Sequence, residues 1–307
     1  MINDQSAVLI TGATSGLGRN SAFLLGASGR TVVVHGRRVE AVHEVVEEIR
    51  SNGGNALPFV ADLSDLREVD SALADFPDIS LHGIMANAGI ICRRTETYGL
   101  SAQGFDMTFA VNVLGHQLIF LRLAERILKG GRIVVTTSEV HDPKSRLARF
   151  SRVPEPKWAG VKNLAYADHA PAEFGLTNGF LRYSTSKLLN IFQARVLQEE
   201  FRNIDVFAFN PGFMVDTSIA RELPRVLRPV VRIMGKAVSP FFESVRLSTD
   251  MANNVRDLFE NEKWNHKGFA YVDGGVIGTP SEDALREDWA QELWAGTLEL
   301  IEKSLGS

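Results

Sequence analysis

Tyr183 and Lys187 are the two residues of this 307-residue chain whose types and spacing most directly suggest chemistry. They stand four positions apart in Tyr183-Ser184-Thr185-Ser186-Lys187, so on a helix they would share one face, about 6 Å apart at Cβ. An ammonium at that distance favours phenolate and is expected to lower the pKa of Tyr183. The pair therefore predicts a tyrosine that gives or takes a proton near neutral pH. Because chance often produces this spacing, the prediction depends on the surrounding motifs.

A glycine-rich turn near the N-terminus predicts a nucleotide site. It follows a short apolar run and reads Thr11-Gly12-Ala13-Thr14-Ser15-Gly16-Leu17-Gly18. Glycines let such a turn approach a pyrophosphate closely, and the N-terminus of the following helix offers unpaired N–H groups to the phosphates. A glycine turn alone is weak evidence, but its place between a buried strand and a helix makes it specific.

The end of the second apolar run carries two arginines and no acid, in His35-Gly36-Arg37-Arg38. An acidic residue at this place bonds the ribose 2′-hydroxyl of NAD, whereas Arg accommodates the 2′-phosphate of NADP. Guanidinium groups bind phosphate through paired N–H donors. We therefore expect Arg37 and Arg38 to favour NADP. The alternative is that they are solvated residues at the start of a helix, a place that disfavours cations.

Two further strand ends supply candidate cofactor contacts. Asp62 and Leu63 follow the third apolar run, and Asn87-Ala88-Gly89 closes the fourth. Asp62 can accept a bond from the adenine amino group, or it can cap the next helix. Because ligands bind at the carboxyl ends of the strands in open α/β sheets, both segments belong to the predicted cofactor site.

The scaffold for these residues is predicted by the apolar runs themselves. Seven runs recur, at about residues 7–11, 31–35, 56–61, 84–86, 132–136, 206–209 and 269–272. They are apolar throughout and do not alternate, which indicates strands buried on both faces. Helical patterns lie between them, at residues 37–51, 104–128 and 184–202 among others. The predicted fold is α/β: a doubly wound, Rossmann-like parallel sheet of about seven strands with helices on both faces.

The sequence contains no linker, repeat or low-complexity tract, so residues 1–307 are predicted to form one dinucleotide-binding domain. Residues 139–182 are expected to be an insertion. Its larger aromatic residues line a pocket or pack over the core; they are Phe150, Trp158, Tyr166 and Phe174. Residues 218–245 mix Arg with apolar side chains and are interpreted as a lid over a lipophilic or aromatic substrate. A basic amphipathic helix on a membrane surface is the alternative.

Bulk composition argues against several classes of protein. The net charge of −4 offers no basic face for nucleic acid. The single cysteine, Cys92, cannot form an intrachain disulfide and is interpreted as a structural or loop thiol. The N-terminus shows no signal-peptide pattern, and no stretch reaches the roughly 18 apolar residues of a membrane span. We therefore expect a cytoplasmic protein, with no metal site.

Taken in order, the motifs resemble those of the short-chain dehydrogenases/reductases. The resemblance runs from about Ser6 to Thr217, and more loosely to Val272 and the Gly274-Gly275 turn. By position it implies a catalytic tetrad of Asn112, Ser138, Tyr183 and Lys187. It likewise implies a loop flanking the nicotinamide that contains Pro211, Gly212 and Thr217. The Gly115-His116 pair after Asn112 is similar to the retinol-dehydrogenase-like and fungal secondary-metabolism reductase branches. The 45 positions between Ser138 and Tyr183 are more than is usual in the family.

The resemblance implies an NADP(H)-dependent oxidoreductase, a carbonyl reductase or alcohol dehydrogenase acting on a small molecule. Tyr183 would transfer the proton and Ser138 would hydrogen-bond the reacting oxygen. Lys187 would lower the pKa of Tyr183 and hold the nicotinamide ribose, and Asn112 would hold a water that links Lys187 to solvent. His116 and His141 are expected to be structural, since the tetrad leaves them no required role.

Two other functions stay open: an NADP-sensing regulator with little turnover, and an epimerase or dehydratase on the same scaffold. The intact tetrad argues against the first, and the short stretch of about 35 residues after the last predicted strand argues against the second. Many relatives pair through the helices at residues 104–128 and 184–202. A homodimer is therefore one expectation, and a monomer is the other, because the insertion would block such pairing.

Overall fold

The strands form at the apolar runs. The computed structural model describes residues 6–91, 99–167, 169–176, 178–214 and 245–306. Its strands are β1 (Ala7–Ile10), β2 (Thr31–Gly36), β3 (Asn55–Val60), β4 (Leu81–Ala86), β5 (Ile127–Thr136), β6 (Asp205–Asn210), β7 (Phe213–Met214), β8 (Val245–Arg246), β9 (Phe269–Asp273) and β10 (Val276–Ile277).

One eight-stranded sheet carries the fold, in the order β10-β9-β6-β5-β4-β1-β2-β3. The seven strands from β9 to β3 pair in parallel, and β10 adds a short antiparallel edge to β9. The predicted doubly wound sheet of about seven strands is therefore confirmed. Strand order reverses between β1 and β4, which is where open α/β sheets bind ligands.

Helices connect the strands. They are α1 (Gly16–Ala27), α2 (Val39–Ser51), α3 (Leu66–Ala74), α4 (Met107–Phe109), α5 (Gly115–Leu123), α6 (Arg146–Ser151), α7 (Val161–Ala165), α8 (Gly179–Glu200), α9 (Ser248–Glu260) and α10 (Glu287–Leu305). A π-helical turn, Ala110–Leu114, joins α4 to α5 within the continuous helix Met107–Arg126. Helix α8 begins at residue 179 and not at 184 as expected, because the Asn178 side chain caps it by accepting from the N–H groups of residues 180 and 181.

Two apolar cores lie on opposite faces of the sheet, because successive side chains of a strand point to opposite sides. In β1, Val8 and Ile10 pack with α1, α2 and α9, whereas Leu9 packs with α3, α5 and α8. Helices therefore cover both faces, as expected. The helix Met107–Arg126 is long and apolar enough to cross a membrane, but 83% of its most apolar window is buried within the protein.

Residues 139–182 contain short helices that pack over the core. Trp158 stacks on Trp289 of α10, with ring centroids 5.8 Å apart, and meets Phe192 of α8 edge-on. Tyr166 packs on Phe105. Phe174 also packs against the core, while the side chain of Phe150 lies outside the described residues. Of the two interpretations of these aromatic residues, core packing is the one the described contacts match.

Candidate active site

The glycine-rich turn adopts a conformation that needs glycine. Gly12 and Gly16 have φ values of +65° and +56°. A Cβ at Gly18 would come within 2.6 Å of the Gly12 carbonyl oxygen. Ser15 precedes α1 without capping it through its side chain. The N–H groups of the first turn of α1 are thus left for a ligand such as a phosphate.

Hydrogen bonds tie this turn to the neighbouring strand ends. Thr11 Oγ1 accepts from the backbone N–H groups of Asn87 and Ala88 at 2.8 and 2.9 Å, and Asn87 Nδ2 donates to the Thr11 carbonyl at 2.9 Å. His35 Nδ1 accepts from Gly12 N–H at 3.2 Å. Burial lowers the pKa of His35 to about 4, so its imidazole stays neutral and able to accept this bond.

Arg37 and Arg38 lie at the end of β2, and both are exposed. Arg38 is the residue before α2. Asp62 accepts bonds from the N–H and hydroxyl of Ser64, whereas the cap of α3 is Asp65. The alternative that Asp62 caps the next helix is therefore wrong, and its bond to adenine stays a prediction.

Ser138 and Tyr183 meet at the carboxyl edge of the sheet. Ser138 lies two residues after β5, and Tyr183 lies in the second turn of α8. The Ser138 hydroxyl lies close enough to the Tyr183 hydroxyl to lower the pKa of Tyr183. Both residues are half-buried. Two hydroxyls this close can both donate a hydrogen bond to one substrate oxygen.

The pKa of Tyr183 is not lowered, contrary to expectation. Burial raises it to about 12, and the hydrogen bond from Ser138 offsets only part of that rise. Lys187 Nζ lies 5.7 Å from the centroid of the Tyr183 ring. The ammonium donates to other acceptors, and Lys187 does not lower the pKa of Tyr183 as the helical spacing predicted.

Lys187 is buried and held by two oxygens. Its Nζ donates to the Thr136 carbonyl at 3.0 Å and to Asn190 Oδ1 at 3.1 Å. Burial lowers the pKa of this ammonium to about 8. A Cβ at Gly89 would lie 3.6 Å from the same Nζ. The Asn-Ala-Gly segment and the tetrad therefore share one site.

Asn112 lies in the π-helical turn. Its Oδ1 accepts from Ile90 N–H at 2.9 Å, and its Nδ2 donates to the Ile90 carbonyl at 3.1 Å and to Ser186 Oγ at 3.0 Å. The Asn190 side chain bonds both Lys187 Nζ and the Asn112 carbonyl. The water that would link Lys187 to solvent stays a prediction. Asn112 thus fixes the segment after Gly89 against α8.

The loop after β6 packs beside Ser138. Asn210 Oδ1 accepts from the N–H groups of Glu139 and Gly212, at 3.1 and 3.0 Å. Gly212 has φ +72° and follows Pro211. The predicted lid lies outside the described residues except for Val245, and Thr217 and Cys92 lie outside them as well.

His116 and His141 have structural contacts that join parts of the site. His116 Nε2 lies 2.9 Å from Thr11 Oγ1, and its Nδ1 lies 3.3 Å from the Asn112 carbonyl. Burial lowers the pKa of His116 to about 3, so it is neutral. It thereby connects the glycine-rich turn to the helix that carries Asn112.

Sequence reasoning missed three polar residues of the site: Asn190, Asn210 and the ring of His35. Asn190 stands three positions after Lys187, a spacing that places both on one helix face and was available as a signal. Asn210 and His35 bond backbone groups of distant segments, which residue types alone do not reveal. Each is a strand-end polar residue in an otherwise apolar run, and that is the one signal the sequence offers for them.

Comparison with known proteins finds one matching family and several similar proteins. The family described as short chain dehydrogenase matches residues 6–148. The Streptomyces sp. (strain C5) protein named "Putative daunorubicin C-13 ketoreductase DnrU" is 32% identical over 70% of this chain and 67% of its own length. The Arabidopsis thaliana dehydrogenase/reductase SDR family member FEY is 26% identical over 98% of this chain and 79% of its own length.

Solved structures share the fold. The angucycline C-6 ketoreductase LanV, crystallised with bound NADP, superposes with a TM-score of 0.62. It is 23% identical, and the match covers 88% of this chain and 94% of that chain. At this identity the likeness establishes the Rossmann-like architecture.

Proposed function

The chain belongs to the short-chain dehydrogenase/reductase family and is an oxidoreductase of that family; from this premise we propose that it transfers hydride between NADP(H) and a carbonyl or alcohol carbon. The observation that carries the proposal is the closeness of the Ser138 and Tyr183 hydroxyls, with the Lys187 ammonium 5.7 Å from the centroid of the Tyr183 ring. This group lies beside the glycine-rich turn at the carboxyl ends of the parallel strands.

In the proposed reduction, Tyr183 gives its proton to the substrate oxygen while the Ser138 hydroxyl donates a hydrogen bond to the same oxygen. The pKa of about 12 keeps Tyr183 protonated at neutral pH, which suits an acid. Bound NADPH supplies the hydride. Alcohol oxidation, the reverse reaction, would start from the Tyr183 phenolate.

The residues present fit a dinucleotide. Gly12 and Gly16 occupy left-handed backbone positions, and the uncapped start of α1 suits a pyrophosphate. Arg37 and Arg38 would hold the 2′-phosphate, and the charge of these two side chains supports NADP over NAD. Lys187 would hold the nicotinamide ribose through the ammonium hydrogen that Thr136 and Asn190 do not take.

The proposed substrate is lipophilic or aromatic. This rests on the apolar residues of the stretch 218–245, which we retain as a proposed lid within a single domain. The short pair β7–β8 supports that placement, because Phe213–Met214 hydrogen-bonds in parallel with Val245–Arg246, so the described residues on either side of residues 215–244 lie together. Arg246 also pairs with Asp273 at the end of β9, at 2.9 Å.

We propose that the protein is a monomer. Of the 22 residues of α8, 16 are buried within one chain, so little of this helix is left to pair with another copy. Helix α10 lies against it, with Gln291 Nε2 donating to Glu199 Oε2 at 2.8 Å and Arg195 paired with Glu287. Trp158 of the insertion packs on Trp289 of α10 and on Phe192 of α8, so it covers α8 further.

The experiment that tests the proposed function is NADPH oxidation with a panel of aromatic and long-chain aldehydes and ketones, read as the loss of absorbance at about 340 nm. Carbonyl-dependent oxidation is expected. Tight NADPH binding without oxidation of any panel member would support the sensor instead. Turnover without net NADPH consumption would support the epimerase or dehydratase.

A further inference from the structure

A buried amide, Asn190, connects the two helices of the site. It lies on α8 three residues after Lys187 and is only 2% exposed. Its Oδ1 accepts from Lys187 Nζ at 3.1 Å, while its Nδ2 donates to the Asn112 carbonyl at 2.7 Å and to Gln193 Oε1 at 3.2 Å. One side chain thus bridges the ammonium and the main chain of the neighbouring helix.

The Asn112 carbonyl that accepts this bond lies within the π-helical turn. The Gly115 N–H reaches back five residues to the Ala110 carbonyl, so the regular four-residue pattern is broken there. The Asn112 carbonyl then accepts from two side chains, Asn190 and His116. The turn therefore presents a main-chain acceptor toward α8.

The orientation of the Asn190 amide is determined by its neighbours. Gln193 Nε2 donates to the Val113 carbonyl at 3.1 Å, so its Oε1 must face Asn190. Asn190 Nδ2 consequently faces two acceptors, Oε1 of Gln193 and the carbonyl of Asn112. Its Oδ1 is left to face Lys187, where the reversed amide would place N–H donors against an ammonium.

We propose that Asn190 is a positioning residue for Lys187. Its side chain accepts from the Lys187 ammonium and donates to the Asn112 carbonyl, and this bridge aligns the ammonium. The inference rests on the proposed function, in which Lys187 serves Tyr183 and the cofactor. Asn190 and the Thr136 carbonyl take two of the three ammonium hydrogens. The third is thereby directed to the side on which Gly89 and Tyr183 lie.

The test compares Asn190→Leu with Asn190→Ala. Leucine has nearly the shape of asparagine but no polar atoms, so it preserves packing and removes the bridge. Alanine removes the bridge and packing but leaves room for about one water, which can bond both Lys187 and Asn112. A positioning role predicts that Asn190→Leu loses about tenfold or more in kcat for carbonyl reduction. It also predicts that Asn190→Ala retains more activity than Asn190→Leu, whereas a packing role predicts the reverse order.

A second readout does not depend on turnover. The protonation of Lys187 can be followed by NMR in protein labelled with ¹³C at lysine Cε, with the signal assigned by Lys187→Met. Loss of an acceptor that bonds the charged form is expected to move the pKa of Lys187 below its wild-type value in Asn190→Leu. The matched control is Thr297→Val, which removes one polar atom at a fully buried position of α10 where Thr297 bonds only carbonyls of its own helix. In this control the pKa of Lys187 should stay at the wild-type value.

An unchanged Lys187 pKa in Asn190→Leu would overturn the inference. So would a loss of kcat in Thr297→Val as large as that in Asn190→Leu, because the loss of any buried polar group would then have the same effect. Wild-type turnover is measured in the same experiment. Its absence would overturn the proposed function together with this inference, whereas turnover that is equal in wild type and Asn190→Leu would overturn the inference alone.

Discussion

His141 Nδ1 lies 2.7 Å from the carbonyl oxygen of Ser138, the residue whose hydroxyl bonds Tyr183. On the other side of the ring, Nε2 accepts from the Ser281 N–H at 3.1 Å. A backbone N–H can only donate, so His141 is neutral with its proton on Nδ1. The imidazole thus anchors the loop of Ser138 to the C-terminal part of the chain.

His141→Gln is expected to lower both stability and activity. The change leaves the Ser138 carbonyl and the Ser281 N–H poorly paired. This is expected to lower the free energy of unfolding by about 1–3 kcal/mol. It also frees the Ser138 loop, so kcat should fall several-fold. Urea unfolding and NADPH oxidation check this, with His43→Gln on the exposed side of α2 as the control. Equal stability of the two variants would show that the His141 bonds do not anchor the loop.

Carbonyl reduction is expected to fall above about pH 8. The pKa of Lys187 lies at about 8, and the proposed role needs its protonated form, so activity is present below this pH and lost above it. Tyr183, with a pKa of about 12, stays protonated across the same range. The measurement is the pH dependence of kcat/KM for NADPH, which reports groups of the enzyme before the cofactor binds. A profile that stays flat to pH 10 would contradict this role of Lys187.

Replacing both Arg37 and Arg38 with Ser should raise the KM for NADPH by about tenfold or more, because two charge-assisted contacts to the 2′-phosphate are lost. The KM for NADH, which lacks that phosphate, should change by less than about threefold on the same reasoning. Arg50→Ser, at the other end of α2, is the matched control. Equal changes in the KM for NADPH and for NADH would mean that the two arginines do not bind the 2′-phosphate.

The protein is expected to sediment as a single chain of 33.8 kDa. We expect this because α10 and Trp158 pack on α8 and bury the surface through which two chains would pair. Sedimentation equilibrium across a wide range of protein concentrations measures the mass directly. A concentration-independent mass of twice the chain would show that pairing uses a surface other than the covered helix.

The sheet was predictable because each of its parallel strands contains a run of apolar residues, and the strand ends then placed Asn87, Ser138 and Gly212 at one edge. The short antiparallel β10 was not, since two residues, Val276 and Ile277, give no periodic signal. The motif residues of the tetrad were likewise found by order and spacing, and the structure brings them together.

What the sequence did not predict depends on contacts between distant segments. Asn190 bonds a carbonyl 78 positions away, and His141 bonds an N–H 140 positions away. Spacing along a helix predicted that Tyr183 and Lys187 share a face, but it did not predict that burial would raise the pKa of Tyr183 and lower that of Lys187. Such effects depend on desolvation, which follows from the folded packing.

The most direct test of the proposed chemistry compares wild type with Tyr183→Phe in NADPH-dependent reduction of a carbonyl substrate, together with NADPH titration of both proteins. The substitution removes one hydroxyl and keeps the ring. We predict that kcat falls by about 100-fold or more, as expected when a general acid is lost, while NADPH affinity and thermal stability stay close to wild type. A Tyr183→Phe variant that reduces the same carbonyl at the wild-type rate would contradict the account.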